Sequence, residues 1–343
     1  MPSKTHSSSS RKFETWLRPD AAGLHCAPGD FHIDPIRPVD RAIITHGHSD
    51  HARAGHRAVL ATTETIAIMR ARLGADAAGS FQECRYGERI ALDDVAVRLV
   101  PAGHILGSAQ VVIEHAGSRA VVSGDYKRAP DPTAAPFALV RCDLFVTEAT
   151  FGLPVFRHES DAQEIGRLLA SLQDSPERTH LIGAYGLGKT QRLIALLRAA
   201  GYERPIWLHG ALEAMCELYR QLGVELGDLR LVKDAGNKLA GEIVLCPPSA
   251  MKDRWSRRLN DPVVAFASGW MRIRARARQK GVELPLVISD HCDWPELVQT
   301  IAETEAEEIW VTHGREEALV HLAGLMGKRA RALALVGFEE EGE

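Results

Sequence analysis

His46, His48, Asp50 and His51 crowd four metal-ligand side chains into the segment His46-Gly47-His48-Ser49-Asp50-His51, directly after the apolar run Arg41-Ala42-Ile43-Ile44-Thr45. In extended chain, residues two apart project to the same side, so His46 and His48 can grip one ion. Asp50 and His51 then project towards a second ion close by. Imidazole suits zinc and similar divalent metals, and a carboxylate brings the negative charge that a second cation needs. The plain alternative is a polar surface loop that happens to be rich in histidine; the density of ligand types argues against it.

A two-metal site needs further imidazoles and a bridging carboxylate, each held at the end of a rigid element. Three residues meet that requirement. His104 follows the strand-like residues 95–100, Asp125 ends the run 119–125, and His313 ends the run 308–313. Each is a polar residue directly after an apolar, β-prone stretch, where α/β sheets place their ligands. A lone histidine in such a place is usually structural; the repetition of one arrangement points to a metal centre.

In these segments the chain resembles the metallo-β-lactamase superfamily, whose ligand motifs match His46-x-His48-x-Asp50-His51, His104, Asp125 and His313 in order. The resemblance implies that one metal takes His46, His48 and His104, the other takes Asp50, His51 and His313, and Asp125 bridges them. Asp34, in Asp30-Phe31-His32-Ile33-Asp34-Pro35, matches the acidic residue ending that fold's early strand and would orient a ligand without touching metal. Three more segments resemble the β-CASP nucleases: Thr147-Glu148-Ala149-Thr150-Phe151-Gly152, Ser289-Asp290-His291-Cys292-Asp293 and Val311-Thr312-His313-Gly314. The fold implied is α/β, a metallo-β-lactamase αββα sandwich with an inserted α/β β-CASP domain. The wording of residues 29–40 looks most like the bacterial ligase-associated DNA exonucleases, which implies DNA as substrate and DNA ligase or helicase repair partners. His313 cuts the other way, because histidine at that motif is usual in RNA-processing relatives; an RNA-processing nuclease remains the alternative. Small ester or thioester hydrolysis fits less well, since it does not need an inserted domain, and an intact ligand set argues against an inactive scaffold.

The chemistry follows from these residues. Two divalent ions, zinc or manganese, would lower the pKa of a shared water so that a metal-bridged hydroxide could attack phosphorus, and would offset the charge growing on the phosphoryl oxygens. Asp50 serves as both ligand and catalytic residue. The leaving oxygen needs a proton, and His291, tuned by Glu148, is the candidate general acid.

Around this site the chain has two rhythms. Residues 31–148 read as short strands with one helix near 63–73, and include a hairpin of residues 109–115 and 119–123. Residues 160–260 alternate strand and helix, which predicts a parallel sheet. The expected division is a flexible 1–12, a first domain part over 13–153, an inserted domain over 154–268, a second part over 269–337, and an acidic tail over 338–343.

The 343 residues carry ordinary globular proportions, 45% hydrophobic and 25% charged. No apolar stretch approaches the roughly 18 residues of a membrane span, and residues 1–10 lack the apolar core of a signal peptide. Cys26, Cys84, Cys142, Cys216, Cys246 and Cys292 form no CxxC pair, which favours reduced thiols in a cytoplasm. The net charge of −4 excludes a bulk nucleic-acid binder, yet residues 252–280 hold nine basic and two acidic side chains. Such a run is either a solvated face or a guide for a nucleic-acid strand. Within it Arg272, Arg274 and Arg276, with Lys127 just past Asp125, are the candidate substrate contacts. Trp255 and Trp270 either stack bases or sit in a core. Gly183-Ala184-Tyr185-Gly186-Leu187-Gly188-Lys189-Thr190 matches a P-loop pattern. It also resembles the glycine turn opening a helix in the β-CASP insertion, and without a matching magnesium-holding aspartate it is read as that turn. Lys189 is on this reading dispensable for cleavage.

Overall fold

A computed structural model describes residues 13–236 and 239–333, so the expected flexible start and acidic tail lie outside the described residues. The first sheet runs β1 (Leu17–Pro19), β2 (Leu24–Cys26), β3 (Phe31–Ile33), β4 (Arg41–Ile43), β5 (Ala58–Ala61) and, after helix α1 (Thr63–Leu73), β6 (Phe81–Glu83). A second sheet begins with β7 (Arg89–Leu92), β8 (Val95–Pro101), β9 (Ala109–His115), β10 (Ser118–Val122) and β11 (Leu144–Ala149). The expected hairpin is the β9–β10 pair.

The chain then leaves through α2 (Asp161–Asp174), β12 (His180–Gly183), α3 (Lys189–Ala199), β13 (Ile206–Leu208), α4 (Glu213–Gln221), β14 (Leu229–Leu231), β15 (Ile243–Cys246), β16 (Val263–Ala267), α5 (Arg274–Lys280) and β17 (Leu284–Leu286). Its six strands form a parallel third sheet in the order β14-β13-β15-β12-β16-β17. The return expected at residue 269 falls inside this layer, because β17 pairs with β16 through Ala267 and Leu286. Proline in the middle of Leu284-Pro285-Leu286 hides that short edge strand from a β-propensity reading. Helix α6 (Trp294–Glu303), strand β18 (Glu308–Gly314), helix α7 (Glu316–Leu325) and strand β19 (Arg329–Ala332) then complete the second sheet, with β18 inserted beside β11.

Side-chain alternation explains the layering. Along a strand, neighbours face opposite sides, so Ile43 joins the core between the first two sheets while Ala42 and Ile44 pack outward with Ile66 and Met69 of α1. In β9, Val111 and Ile113 face inward, and Val112 packs outward with Leu297 and Ile301 of α6 and Leu319 of α7. Two sheets each buried on both faces, with helices outside, give four layers of αββα. Ile68, on the far side of α1, belongs to the core of the inserted layer with Leu193, Leu212 and Tyr219. The helix that covers the first sheet is therefore also the shelf on which the insertion rests.

Candidate metal centre

All the proposed ligands emerge from strand ends. His46, His48, Asp50 and His51 follow β4, His104 follows β8, and Asp125 follows β10. His313 lies in β18 and is delivered by a bulge: the β11–β18 register passes from Glu148 opposite Thr312 to Ala149 opposite Gly314, skipping His313. Bulges re-aim side chains near sites, and here His313 takes a left-handed φ of 57°. Gly314 is needed beside it, since a Cβ there would lie 2.4 Å from the Ala149 carbonyl oxygen.

The ligand nitrogens form two cages that share Asp125. His48 Nδ1 lies 3.2 Å from His46 Nε2 and 3.1 Å from His104 Nε2. Asp125 Oδ2 lies 3.4 Å from His46 Nε2 and 3.7 Å from His104 Nε2. The edges of a tetrahedron with zinc–nitrogen bonds of about 2.0–2.1 Å are about 3.3 Å, so this quartet has the dimensions of a zinc cage. On the other side His51 Nε2 lies 3.4 Å from the same Asp125 Oδ2 and 3.5 Å from Asp50 Oδ2. The His313 ring stacks on His51 at 5.0 Å, and Asp50, His51 and His313 present mutually close ligand atoms.

Outer partners fix which ring nitrogen faces inward. The Asp290 carbonyl accepts from His104 Nδ1 at 2.8 Å and the Leu187 carbonyl accepts from His48 Nε2 at 3.3 Å, which leaves the lone pairs of His104 Nε2 and His48 Nδ1 facing inward. Asp34 Oδ2 accepts from His51 Nδ1 at 2.7 Å and from the Thr45 hydroxyl at 2.6 Å. Thr45 Oγ1 in turn lies 3.0 Å from His46 Nδ1. Asp34, itself at a left-handed φ of 45°, thus orients both cages through one carboxylate and holds no inward-facing position.

Two observations fit divalent cations to these residues. Asp50 Oδ1 and Asp125 Oδ1 are buried with no hydrogen-bond partner among the described residues. Several of the rings are also kept neutral: burial pushes the His46 and His104 imidazoles well below the usual range, with His51 and His291 adding to the effect. Burial also lowers His313 to about 4. Burial opposes charge on His51 too, but Asp125, Asp50 and Asp34 outweigh it and hold His51 well above its ordinary value. Neutral imidazoles beside gathered carboxylates are what cations complete.

His291 lines the same pocket as Asp50, Asp125 and His313. It is anchored by α6, which starts with a capping box in which Asp293 Oδ1 accepts from the Glu296 amide at 3.1 Å. His291 Nδ1 donates to Glu148 Oε2 at 2.9 Å, and Glu148 Oε1 accepts from the Tyr126 amide at 2.7 Å. Burial works against the imidazolium, but Glu148 and then Asp125 raise His291 to about 10.

Sequence reasoning missed the part played by the insertion. Lys189 is buried and its ammonium pairs with Asp290, between Ser289 and His291, while the residue also lines the pocket. Thr190 donates its hydroxyl to the Tyr185 carbonyl at 2.7 Å. Lysine and threonine are both occupied internally, as they would be in a turn that packs a helix against the site. Gly188, at φ 84°, lets it approach: a Cβ would lie 2.4 Å from Ile105 Cγ2, beside His104. The pairing of Lys189 with a carboxylate a hundred residues away leaves no local sequence signal.

The candidate substrate contacts divide. Arg272 and Arg274 are exposed, with Arg272 Nη1 3.4 Å from Glu159 Oε1. Arg276 lies over the Trp270 ring at 4.1 Å, and Trp270 is 8% exposed and lines the pocket. Lys127 is buried, 5% exposed, with its amide donating to Ala102, and is not among the pocket-lining residues. Trp255 lies outside the pocket against His209, donating Nε1–H to the Ala250 carbonyl at 2.9 Å.

No family model matches the chain. Ribonuclease TTHA0252 of Thermus thermophilus is 25% identical, over 90% of this chain and 89% of its own length. A protein of Opitutus terrae named probable DNA ligase is 28% identical over 85% of this chain, but the chain spans only 28% of that protein. In its site residues and in these relatives the chain resembles the β-CASP nucleases of the metallo-β-lactamase superfamily. A crystal structure of a protein of unknown function from Enterococcus faecalis overlays with a TM-score of 0.53 at 14% identity, covering 79% of this chain and 74% of that one, which supports the fold alone. The third sheet with its helices is the layer that this resemblance would assign to the β-CASP insertion, and among the described residues no helix is long and apolar enough to cross a membrane.

Proposed function

We propose that the protein is a divalent-metal-dependent nuclease that cleaves phosphodiester bonds, with DNA ends as its substrate in repair. The observation that carries the reading is Asp125 Oδ2, equidistant at 3.4 Å from His46 Nε2 and His51 Nε2, in one pocket with the His291–Glu148 pair. His46, His48 and His104 would hold one ion, Asp50, His51 and His313 the other, with Asp125 shared. When bound, zinc or manganese ions supply Lewis acidity and positive charge against the phosphoryl oxygens. Glu148 holds His291 by Nδ1, in its protonated form, so that the other ring nitrogen donates its proton to the leaving 3′- or 5′-oxygen as water adds to phosphorus. Trp270 and Phe151 offer an apolar wall beside this point, and Arg272, Arg274 and Arg276 lead towards it as a phosphate track.

A partner that joins DNA ends makes sense of an enzyme that trims them, and likeness to a protein named probable DNA ligase supports that choice. The second reading, an RNA-processing nuclease, is favoured by His313 and by the end-to-end likeness to a ribonuclease. End-labelled single- and double-stranded DNA and RNA, incubated with zinc- or manganese-loaded protein, separate the readings. We expect stepwise shortening of DNA that chelator abolishes and that His48→Ala eliminates together with part of the bound metal. Internal cuts in RNA alone select the second reading, and full activity in chelator removes both.

A further inference from the structure

Outside the pocket, the described residues hold one further group of histidine and carboxylate with mutually close ligand atoms: Asp20, His25 and His32. His25 of β2 and His32 of β3 stand directly opposite in the antiparallel pair, and their rings stack at 4.4 Å with planes 19° apart. Asp20 sits in the β1–β2 turn, where its Oδ1 accepts from the Ala22 amide at 2.7 Å and the Gly23 amide at 3.1 Å. Those bonds leave Oδ2 directed at His32 Nε2, 2.9 Å away. Asp30 Oδ1 approaches His25 Nε2 at 3.6 Å. Two imidazoles and a carboxylate already fixed by the backbone therefore converge on one face, and their side chains remain partly open to solvent, His25 at 19% and His32 at 15%.

We propose that Asp20, His25 and His32 form a separate mononuclear site for zinc or a similar first-row divalent ion. The donor set is two nitrogens and one oxygen, with Asp30 or water in the fourth position, which suits a tetrahedral borderline-soft cation and not magnesium or calcium. Directly opposed residues on an antiparallel pair keep a fixed separation, so little side-chain ordering is required on binding. Burial, and then His32, keep the His25 imidazole below its usual range, so its lone pair is available near neutral pH. The ion would fasten the β1–β2 turn to β3, the strand that runs directly into Asp34. Its role is that of a brace on the edge of the sandwich. With three protein ligands and an open face it binds more weakly than the enclosed pocket.

Full-length protein, His25→Gln and Asp20→Asn are dialysed to equilibrium against the same excess of free zinc and assayed for metal per chain. The wild type is expected to hold one zinc ion more than either variant, whatever the occupancy of the pocket. His48→Ala, which removes a ligand from the pocket and none from this site, should still bind one ion more than His48→Ala with His25→Gln. Added zinc should also raise the thermal midpoint of the wild type more than that of His25→Gln. Equal zinc counts in wild type and His25→Gln overturn the site, as does loss of the extra ion in His48→Ala alone.

Discussion

His291 shows how one side chain acquires a role from its neighbours. Its Nδ1 is committed to Glu148 at 2.9 Å, which fixes the ring, and Glu148 keeps the imidazole charged in spite of burial. We expect His291→Ala to slow cleavage by roughly 10²–10⁴-fold, the scale of a lost general acid, with bound metal unchanged on elemental analysis. Loss of an ion from the variant would mean that His291 is a ligand, a concrete alternative because its ligand atoms also lie close to His104 and Asp125. His158 makes the opposite case. Burial and then Lys127 and Lys189 lower it to about 3, and neither ring nitrogen has a hydrogen-bond partner among the described residues. Folded His158 is neutral while unfolded His158 titrates near 6.5, so between those values the unfolded chain binds the extra proton. Stability from this residue is complete above about pH 6.5 and is lost as pH falls towards 3. Replacing His158 with Phe should flatten the acid limb of thermal stability against pH; an unchanged limb would assign that dependence to other groups. The cluster of candidate ligands was legible in the sequence because histidine and aspartate at strand ends are rare and closely spaced. Lys189 was not, because its partner Asp290 is distant in sequence and a lysine after glycine also suits a nucleotide loop.

Elements add what residues alone lack, a reason for the insertion to be there. The turn between β12 and α3 touches the metal centre twice, through the Leu187 carbonyl on His48 and through Lys189 on Asp290, whose carbonyl orients His104. The third sheet thus serves as outer support for a cage built on the other two. Its existence follows from strand–helix alternation, and a capping box and a glycine mark where α2 and α3 begin. Its extent does not, since β14 and β17 are three-residue strands with no alternation to read. Lys189→Met should strand the Asp290 carboxylate without a counter-charge, a change that costs about 3–5 kcal/mol when such a pair is buried. We expect lower thermal stability and cleavage reduced at least about tenfold through the neighbouring His291. Lys189→Met with Asp290→Asn should regain much of the stability, as a neutral pair has no stranded charge. Wild-type cleavage by the single variant would confine the ion pair to folding and restore the sequence-based expectation.

At the scale of the molecule, charge is unevenly spread. A chain with a net charge of −4 concentrates nine basic side chains within residues 252–280, and the folded layer brings Arg276 over Trp270 at the pocket edge while Arg272, Arg274 and Arg278 stay exposed. Composition gave the sign of this surface and its place in the chain. Its direction towards the pocket depends on how α5 packs beside Trp270, which no composition encodes. If the stretch is a phosphate track, replacing Arg272 and Arg274, or Arg274 and Arg278, with alanine should weaken all sequences alike. Each lost contact should also flatten the slope of log affinity against log salt by roughly 0.7 on a single strand. Arg276→Ala should behave differently: it also uncovers the Trp270 ring, so affinity should fall beyond what the salt slope accounts for. Binding curves at several salt concentrations measure both. Unchanged slopes in the paired variants would make the arginines a solvated face, and a slope change without any loss specific to Arg276 would separate the track from the pocket wall.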